Sequence, residues 1–335
     1  MTDDRDSTDA ADASGDVNLG WRIVTTGHDA DGRAMVRSDR RLPVDDGQEP
    51  IRAGHILAVN VPAKFVDDGD LDSGRPVLDP GSLAVDALVV EPTTTWLVDR
   101  SAAPSGRFEA LIVVRGQLHV TVGSDEASLQ PGSVFVARGV PFGARTSAEV
   151  QTRLLVVRAE PSTQSEPAVS TSLRSASGPA RRVRRVVAGT DEHGRPQIVH
   201  DGDPAVMFVV GDEAAPLAAL ADVWDFGGPV CAYDQGGDPP EPFDLEPRGG
   251  GAKILDVELE AAQPGAPAPD GGWHATATTD VDAIVSGSVQ MYLPDLPPVT
   301  LEAGDIVVQR GTNHLWHAVG TEPLRMSTIM VGVRP

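Results

Sequence analysis

Cysteine is almost absent: Cys231 is the single thiol in 335 residues. A lone cysteine forbids an intrachain disulfide, and it fits the reducing cytoplasm in which the chain is expected to reside. With no histidine in its local sequence, Cys231 reads as a small buried hydrophobe or loop thiol rather than a nucleophile. Basic residues are also short, 27 Lys and Arg against 49 Asp and Glu, for a formal net charge of −22. Such a surface repels phosphate backbones and anionic bilayers, so neither a nucleic acid nor a membrane is an expected partner. No apolar run of about 18 residues and no charged-then-apolar N-terminal stretch is found, which leaves no signal for insertion or secretion. No basic helix-turn-helix pattern is visible either.

Helix signals are few. Short runs rich in Val, Ile and Thr alternate with Gly, Pro and Asp clusters, the pattern of an all-β barrel or sandwich. The stretch Ala214 to Trp224 is the best candidate for a helix, although Pro216 interrupts it. The length predicts two domains of about 150 residues. Residues 1–18, rich in Asp, Ser and Thr, read as a disordered acidic tail, and the Ser/Thr/Pro/Ala-rich stretch 160–180 reads as a linker. These divide the chain into an N-terminal domain over 19–159 and a C-terminal domain over 181–335. The basic run Arg181 to Arg185 reads as a strand edge or a tie onto an acidic neighbour. A Gly/Pro/Asp-rich segment, Asp225 to Gly251, has the composition of a lid or binding loop.

The chemistry concentrates near the C-terminus. His274, Thr276, Thr278, Asp280 and Asp282 are each two apart, so an unbroken strand would carry all five on one face. Polar side chains in a line on an otherwise apolar strand need a wet or metal-filled interior. After Gly287 comes a strand with Gln290 and Tyr292, then the turn at Gly304–Asp305, the run Ile306 to Gln309, and His314. Imidazole and carboxylate are ligands for Zn, Fe, Mn, Ni or Co.

These two segments resemble the paired motifs of the cupins. On that resemblance His274 stands at the first histidine of the first motif, Thr276 replaces its second histidine, Asp280 holds the Glu position seven before Gly287, and His314 matches the histidine of the second motif. The stretch also resembles a cupin subgroup with His-x-Thr-x-Thr-x-Asp and Gln-Arg-Gly-Thr-x-His-x-Trp motifs, the latter spanning Gln309 to Trp316. Some of that subgroup are described as oxidoreductases of secondary metabolism. The resemblance implies small antiparallel jelly-roll barrels and homodimers.

The first half repeats the second. Glu109 lies seven before Gly116 as Asp280 does before Gly287, with Ala103 at the place of His274 and Phe142 at that of His314. A further repeat opens each half, Arg22 to Arg33 paralleling Arg185 to Arg195. The expected architecture is therefore all-β, two tandem antiparallel cupin barrels (a bicupin), the first degenerate and structural, with Glu109 held in a salt bridge.

The leading expectation is a metal-dependent cupin oxidoreductase or dioxygenase acting on a small organic metabolite of aromatic or polyketide-like kind. In it His274, Asp280, His314 and Thr276 hold a divalent transition metal, with Fe(II) favoured and Zn, Mn or Ni as alternatives. Asp282 and Thr278 take catalytic roles, Trp316, Gln290 and Tyr292 line the substrate pocket, and His317 faces the surface or the partner barrel. Two alternatives remain open: a metal-dependent isomerase, cyclase or lyase, in which Asp282 moves a proton, and a non-catalytic small-molecule-binding bicupin.

Overall fold

The structure is a computed structural model that describes residues 21–42, 51–60, 78, 81–98, 108–160, 183–204, 207–212, 215–226, 243–247, 251–263 and 265–333. Every regular element among these is a strand, in four sheets. No described helix is long and apolar enough to cross a membrane. The expected tail, most of the linker, Ala103, Cys231 and the bulk of the 225–251 segment lie outside the described residues. The expected helix is instead a strand, Ala215–Asp225, paired to neighbours on both sides. Sheet pairing overrides the local helix preference of its Ala and Leu residues.

Strands are numbered along the chain. A seven-stranded sheet runs β13 (Pro196–Gly202), β12 (Arg185–Thr190), β9 (Val134–Arg138), β6 (Phe108–Arg115), β11 (Thr152–Ala159), β4 (Ser82–Val90), β3 (Ile51–Asn60). An eight-stranded sheet repeats that order with β2 (Ala34–Leu42), β1 (Trp21–His28), β20 (Ile306–Arg310), β17 (Thr278–Ser286), β22 (Leu324–Gly332), β16 (Ala252–Leu259), β15 (Ala215–Asp225), and adds β14 (Met207–Asp212) at its edge. Each is backed by a small sheet. The first backing sheet has four strands, β5 (Thr95–Val98), β10 (Phe142–Thr146), β7 (Leu118–Val122) and β8 (Asp125–Leu129); the second has three, β19 (Val299–Glu302), β18 (Ser288–Tyr292) and β21 (Leu315–Val319).

The two large sheets pack face to face through a shared apolar core that includes Trp21, Phe108, Val136, Trp224, Val281 and Ile329. Leu111, Leu118, Phe135 and Phe142 fill the first barrel; Leu255, Ile284, Met291 and Met326 belong to the second. A sheet with cores on both faces has no polar side, which is why β4 and β9 are buried at every position and their sequences lack alternation.

Neither large sheet is built from one half of the chain. β1 lies parallel to β20, pairing Ile23 with Ile306, and β12 lies parallel to β9, pairing Val186 with Phe135. Each half thus lends its opening hairpin to the other, and sheet pairing crosses the 160–180 stretch in both directions. The two hairpins match in detail. Arg22 grips Asp39 through two hydrogen bonds of 2.9 and 2.8 Å, and Arg184 grips Asp201 through two of 2.7 Å. Asp29 Oδ1 accepts from the backbone of Asp31 and Arg33, as Asp191 Oδ1 does from His193 and Arg195. Arg22 therefore corresponds to Arg184, one position earlier than the sequence alignment with Arg185 expects.

Gly116 and Gly287 end β6 and β17 at φ +81° and +78°. A Cβ on Gly287 would stand 2.7 Å from the Pro323 carbonyl oxygen, and one on Gly116 2.7 Å from Thr152 Oγ1. The repeat's turn glycines are thus required by both conformation and space.

Candidate functional site

The strand expected from His274 onward begins only at Thr278. Upstream, His274 forms a one-residue antiparallel bridge to His314: His274 N donates to the His314 carbonyl at 3.0 Å and His314 N to the His274 carbonyl at 2.9 Å. This bridge brings the two imidazoles together, ring centroids 4.3 Å apart. His274 Nδ1 lies 2.9 Å from the Gly272 carbonyl oxygen and His314 Nδ1 2.8 Å from that of Thr312. A carbonyl only accepts, so each Nδ1 carries a hydrogen, which makes Nε2 the lone-pair nitrogen of the neutral ring. His314 is 4 % exposed. Burial first, then the neighbouring His274, lowers its pKa to about 4, so it is neutral at physiological pH.

The Gln-Arg-Gly-Thr segment explains how His314 is held. Gln309 Oε1 accepts from Thr26 at 2.5 Å and from the Thr312 hydroxyl, while Gln309 Nε2 points at Met291 Sδ. Thr26 belongs to the exchanged hairpin, so the turn carrying His314 is pinned by a residue 283 positions away from Gln309.

Along β17 the even positions Asp280, Asp282 and Ile284 face the second barrel, whereas Val281 and Ala283 enter the core between the sheets. The Thr278 hydroxyl donates to Thr276 Oγ1 at 2.7 Å, and Thr276 donates to Asp280 Oδ2 at 3.3 Å. Asp280 Oδ1 is buried without a partner. Asp282 accepts from Thr328 at 2.8 Å. Burial pushes the Asp280 carboxyl up to about 7, against the hydroxyls of Thr278 and Thr276, which favour the anion. Burial and then Asp280 itself raise Asp282 well above the usual carboxylate range. Two carboxyls on one strand face out of water resist ionising together.

A cavity of about 660 Å³ gathers these groups, within the size range of small-molecule sites. His274, Thr276, Asp280, Asp282, His314 and Trp316 all line it, as does Thr328, which sequence reasoning missed. Thr278 does not line it; it is fully buried and acts through Thr276. Gln290 and Tyr292, expected in the pocket, are not among its walls: Val289 and Met291 take the inward positions of β18, and the Tyr292 hydroxyl donates to Gln290 Oε1 at 2.9 Å on the other face. His317 is not at the surface; it is 5 % exposed, borders the cavity, and has an unpartnered Nδ1. At the edge of β21 Ala262 forms a one-residue parallel bridge to Val319, and Ala261, Ala262, Pro267 and Gly272 also line the cavity. Together with the His274–His314 bridge, the Ala262 bridge takes the edge that β5 holds in the first barrel, where Val98 pairs with Phe142.

The first barrel lacks this chemistry. Phe142, 2 % exposed, packs edge-on against Phe135 at 4.9 Å where His314 sits in the second. Glu109 lies opposite Arg158 across the β6–β11 ladder.

The four-residue metal set expected from the sequence is only partly assembled. The free Nε2 atoms of His274 and His314 suit an ion, and the unpartnered Asp280 Oδ1 lies in the same cavity. Among the described residues, however, no three His, Cys, Asp or Glu side chains converge closely enough to hold one. Asp280 is turned by its other oxygen toward Thr276, and Thr276 is occupied between Thr278 and Asp280. As they stand, the side chains do not fit a three-ligand centre.

No family model matches the chain. Among curated proteins, oryzines biosynthesis cluster protein J of Aspergillus oryzae is 34% identical over 111 residues, covering 33% of this chain and 53% of that protein. The chain thus spans about half the length of this curated relative. Among solved structures, a Cupin 2 conserved barrel domain protein from Leptotrichia buccalis aligns at TM-score 0.44 and 9% identity, over 86% of this chain and 91% of that one. Protein Ylba from E. coli aligns at TM-score 0.43 and 12% identity, over 88% of each. At that level the likenesses carry no argument of their own, and the architecture rests on the pairing of its strands: an all-β chain of two stacked barrels with exchanged opening hairpins, whose second barrel holds a polar-based cavity.

Proposed function

We propose that the chain is a cupin-type enzyme that moves protons on a small organic metabolite in the second barrel's cavity, as an isomerase, cyclase or lyase does. One observation carries the reading: imidazole nitrogens and carboxyls whose hold on a proton is raised by burial face the same apolar cavity. Groups whose environments pull their proton affinities in opposite directions are the working parts of acid–base catalysis. The His314 Nε2 accepts a proton from substrate carbon or hydroxyl, while the Asp282 carboxyl donates one to a carbonyl oxygen. Asp280, near its midpoint at neutral pH, exchanges protons with either side and is steadied by the Thr278–Thr276 hydroxyl chain. Trp316, edge-on to His314 at 5.3 Å, helps keep water out. A place in a biosynthesis cluster, as the name of the Aspergillus relative says of that protein, agrees with this reading.

The test is deuterium uptake from D2O into a panel of carbonyl metabolites, followed by NMR. The wild type exchanges at least one of them, and His314→Ala, folded by circular dichroism, is slower by about 10²-fold or more. A variant that exchanges as fast as the wild type removes the proposal.

The free Nε2 atoms favour one second reading, the metal-dependent oxidoreductase or dioxygenase of the cupin resemblance. There His274 and His314 hold the ion, and Asp280 must rotate its unpartnered oxygen toward them. Elemental analysis of protein purified without chelator separates the two: a stoichiometric transition metal, lost in the His274→Ala/His314→Ala variant, selects the second. None after reconstitution leaves the first.

A further inference from the structure

The charge around the cavity defines what it admits. Val210, Leu217, Leu220, Leu255, Val257 and Met330 give it aliphatic walls. Among the described residues that line it there is no lysine or arginine, whereas Glu260, Asp280 and Asp282 are acidic. Nearby cations are engaged elsewhere. Lys253, 1 % exposed, sits 2.5 Å from Asp222 and 2.6 Å from the Asp244 carbonyl oxygen, and Arg325 lies 3.6 Å from Asp256. An anionic ligand would leave water for an apolar cavity with no facing lysine or arginine among its described walls to balance its charge, and an unpaired charge held out of water is costly.

We infer that the second barrel takes uncharged or cationic molecules with an apolar body and a hydrogen-bonding head, and rejects carboxylates and phosphates of the same size. The inference deepens the reading of this cavity as the active site and rests on it. The head group belongs at Asp280, whose Oδ1 is buried and unpartnered in a residue 5 % exposed. A hydroxyl, enol or amine satisfies that atom; a second carboxylate oxygen opposes it. His317, with its orphaned Nδ1, offers a second polar stop along the wall.

A matched series separates head charge from chain: 1-decanol, decylammonium and decanoate, titrated calorimetrically at pH 8 below their micelle concentrations. The wild type binds decanol and decylammonium and takes decanoate at least about tenfold more weakly. Ala218→Trp, which fills the cavity from a half-buried wall position, abolishes binding of all three. Asp280→Asn/Asp282→Asn narrows the gap by admitting decanoate; an unchanged gap overturns the role given to the carboxyls. Decanoate binding as tightly as decanol, and lost in Ala218→Trp, overturns the inference while leaving the cavity as the site. No binding by any member, or binding that survives Ala218→Trp, overturns the site reading and the inference with it.

Discussion

Replacing Asp280 by Asn makes the protein more stable at neutral pH, and the gain depends on pH in a defined direction. Asp280 is buried, with one oxygen unpartnered, and its carboxyl is pushed up to about 7 from an ordinary 3.8. The folded state therefore holds a proton that the unfolded chain releases between about pH 4 and 7. Stability falls with rising pH wherever the folded state binds more protons, so ionised Asp280 is a liability that is fully expressed above its folded pKa. Each pKa unit corresponds to about 1.4 kcal/mol, so a shift of about three units amounts to at most about 4 kcal/mol. Asn keeps the shape and cannot ionise. The difference in unfolding free energy, Asp280→Asn minus wild type, thus rises from pH 4 to pH 8 by up to that amount. His314, lowered to about 4, acts in the opposite sense, adding stability as pH rises from about 4 to 6.5. It is present in both proteins and cancels in the difference. Urea denaturation at pH 4.5, 6 and 8 measures the quantity directly. A difference that changes by less than about 1 kcal/mol across that range would refute the argument that Asp280 is held out of water.

The remaining predictions concern how the site is held. Gly287→Ala costs about 2 kcal/mol or more, through its positive φ and a Cβ 2.7 Å from the Pro323 carbonyl oxygen; an unchanged melting temperature would contradict it. Thr26→Val removes the hydroxyl from Gln309 and costs about 1–2 kcal/mol, and it slows turnover through the His314 turn although Thr26 borders no part of the cavity; paired melting and rate measurements check both effects. Phe142→Ala opens a void in the filled first barrel and costs about 3–5 kcal/mol, while ligand binding in the second barrel is retained; loss of binding at full stability would show the first barrel to be more than a support.

The convergence of His274 and His314 was legible because each sits at a fixed distance from a turn glycine, and both turns exist. Their bridge was not, since backbone pairing between an irregular segment and the start of a strand leaves no periodic trace. Gln290 and Tyr292 were misplaced for a local reason: Val289 and Met291 are the apolar set of that strand, and they set its inward phase. His317 was expected at the surface or against the partner barrel and is instead buried beside the cavity, whose other walls come from segments distant in sequence. The Ala214 to Trp224 stretch has the residues of a helix, and from Ala215 on it lies between two strands that claim its backbone. The exchange of hairpins could not be read at all. Repeats reveal which segments are alike, and nothing in them says which copy a segment joins.

That exchange sets an order of events during synthesis. β12 finds its parallel partner β9 already made, since it follows it in the chain. β1 must wait for β20, which is made long after it. Until then its mate's edge does not exist, and the early hairpin relies on its own β1–β2 ladder, its turn and the Arg22–Asp39 clasp. Closing so long a loop is slow. Each large sheet accordingly needs strands from both halves of the chain, and a cut within 160–180 severs the sequence without giving either half all the strands of its sheet.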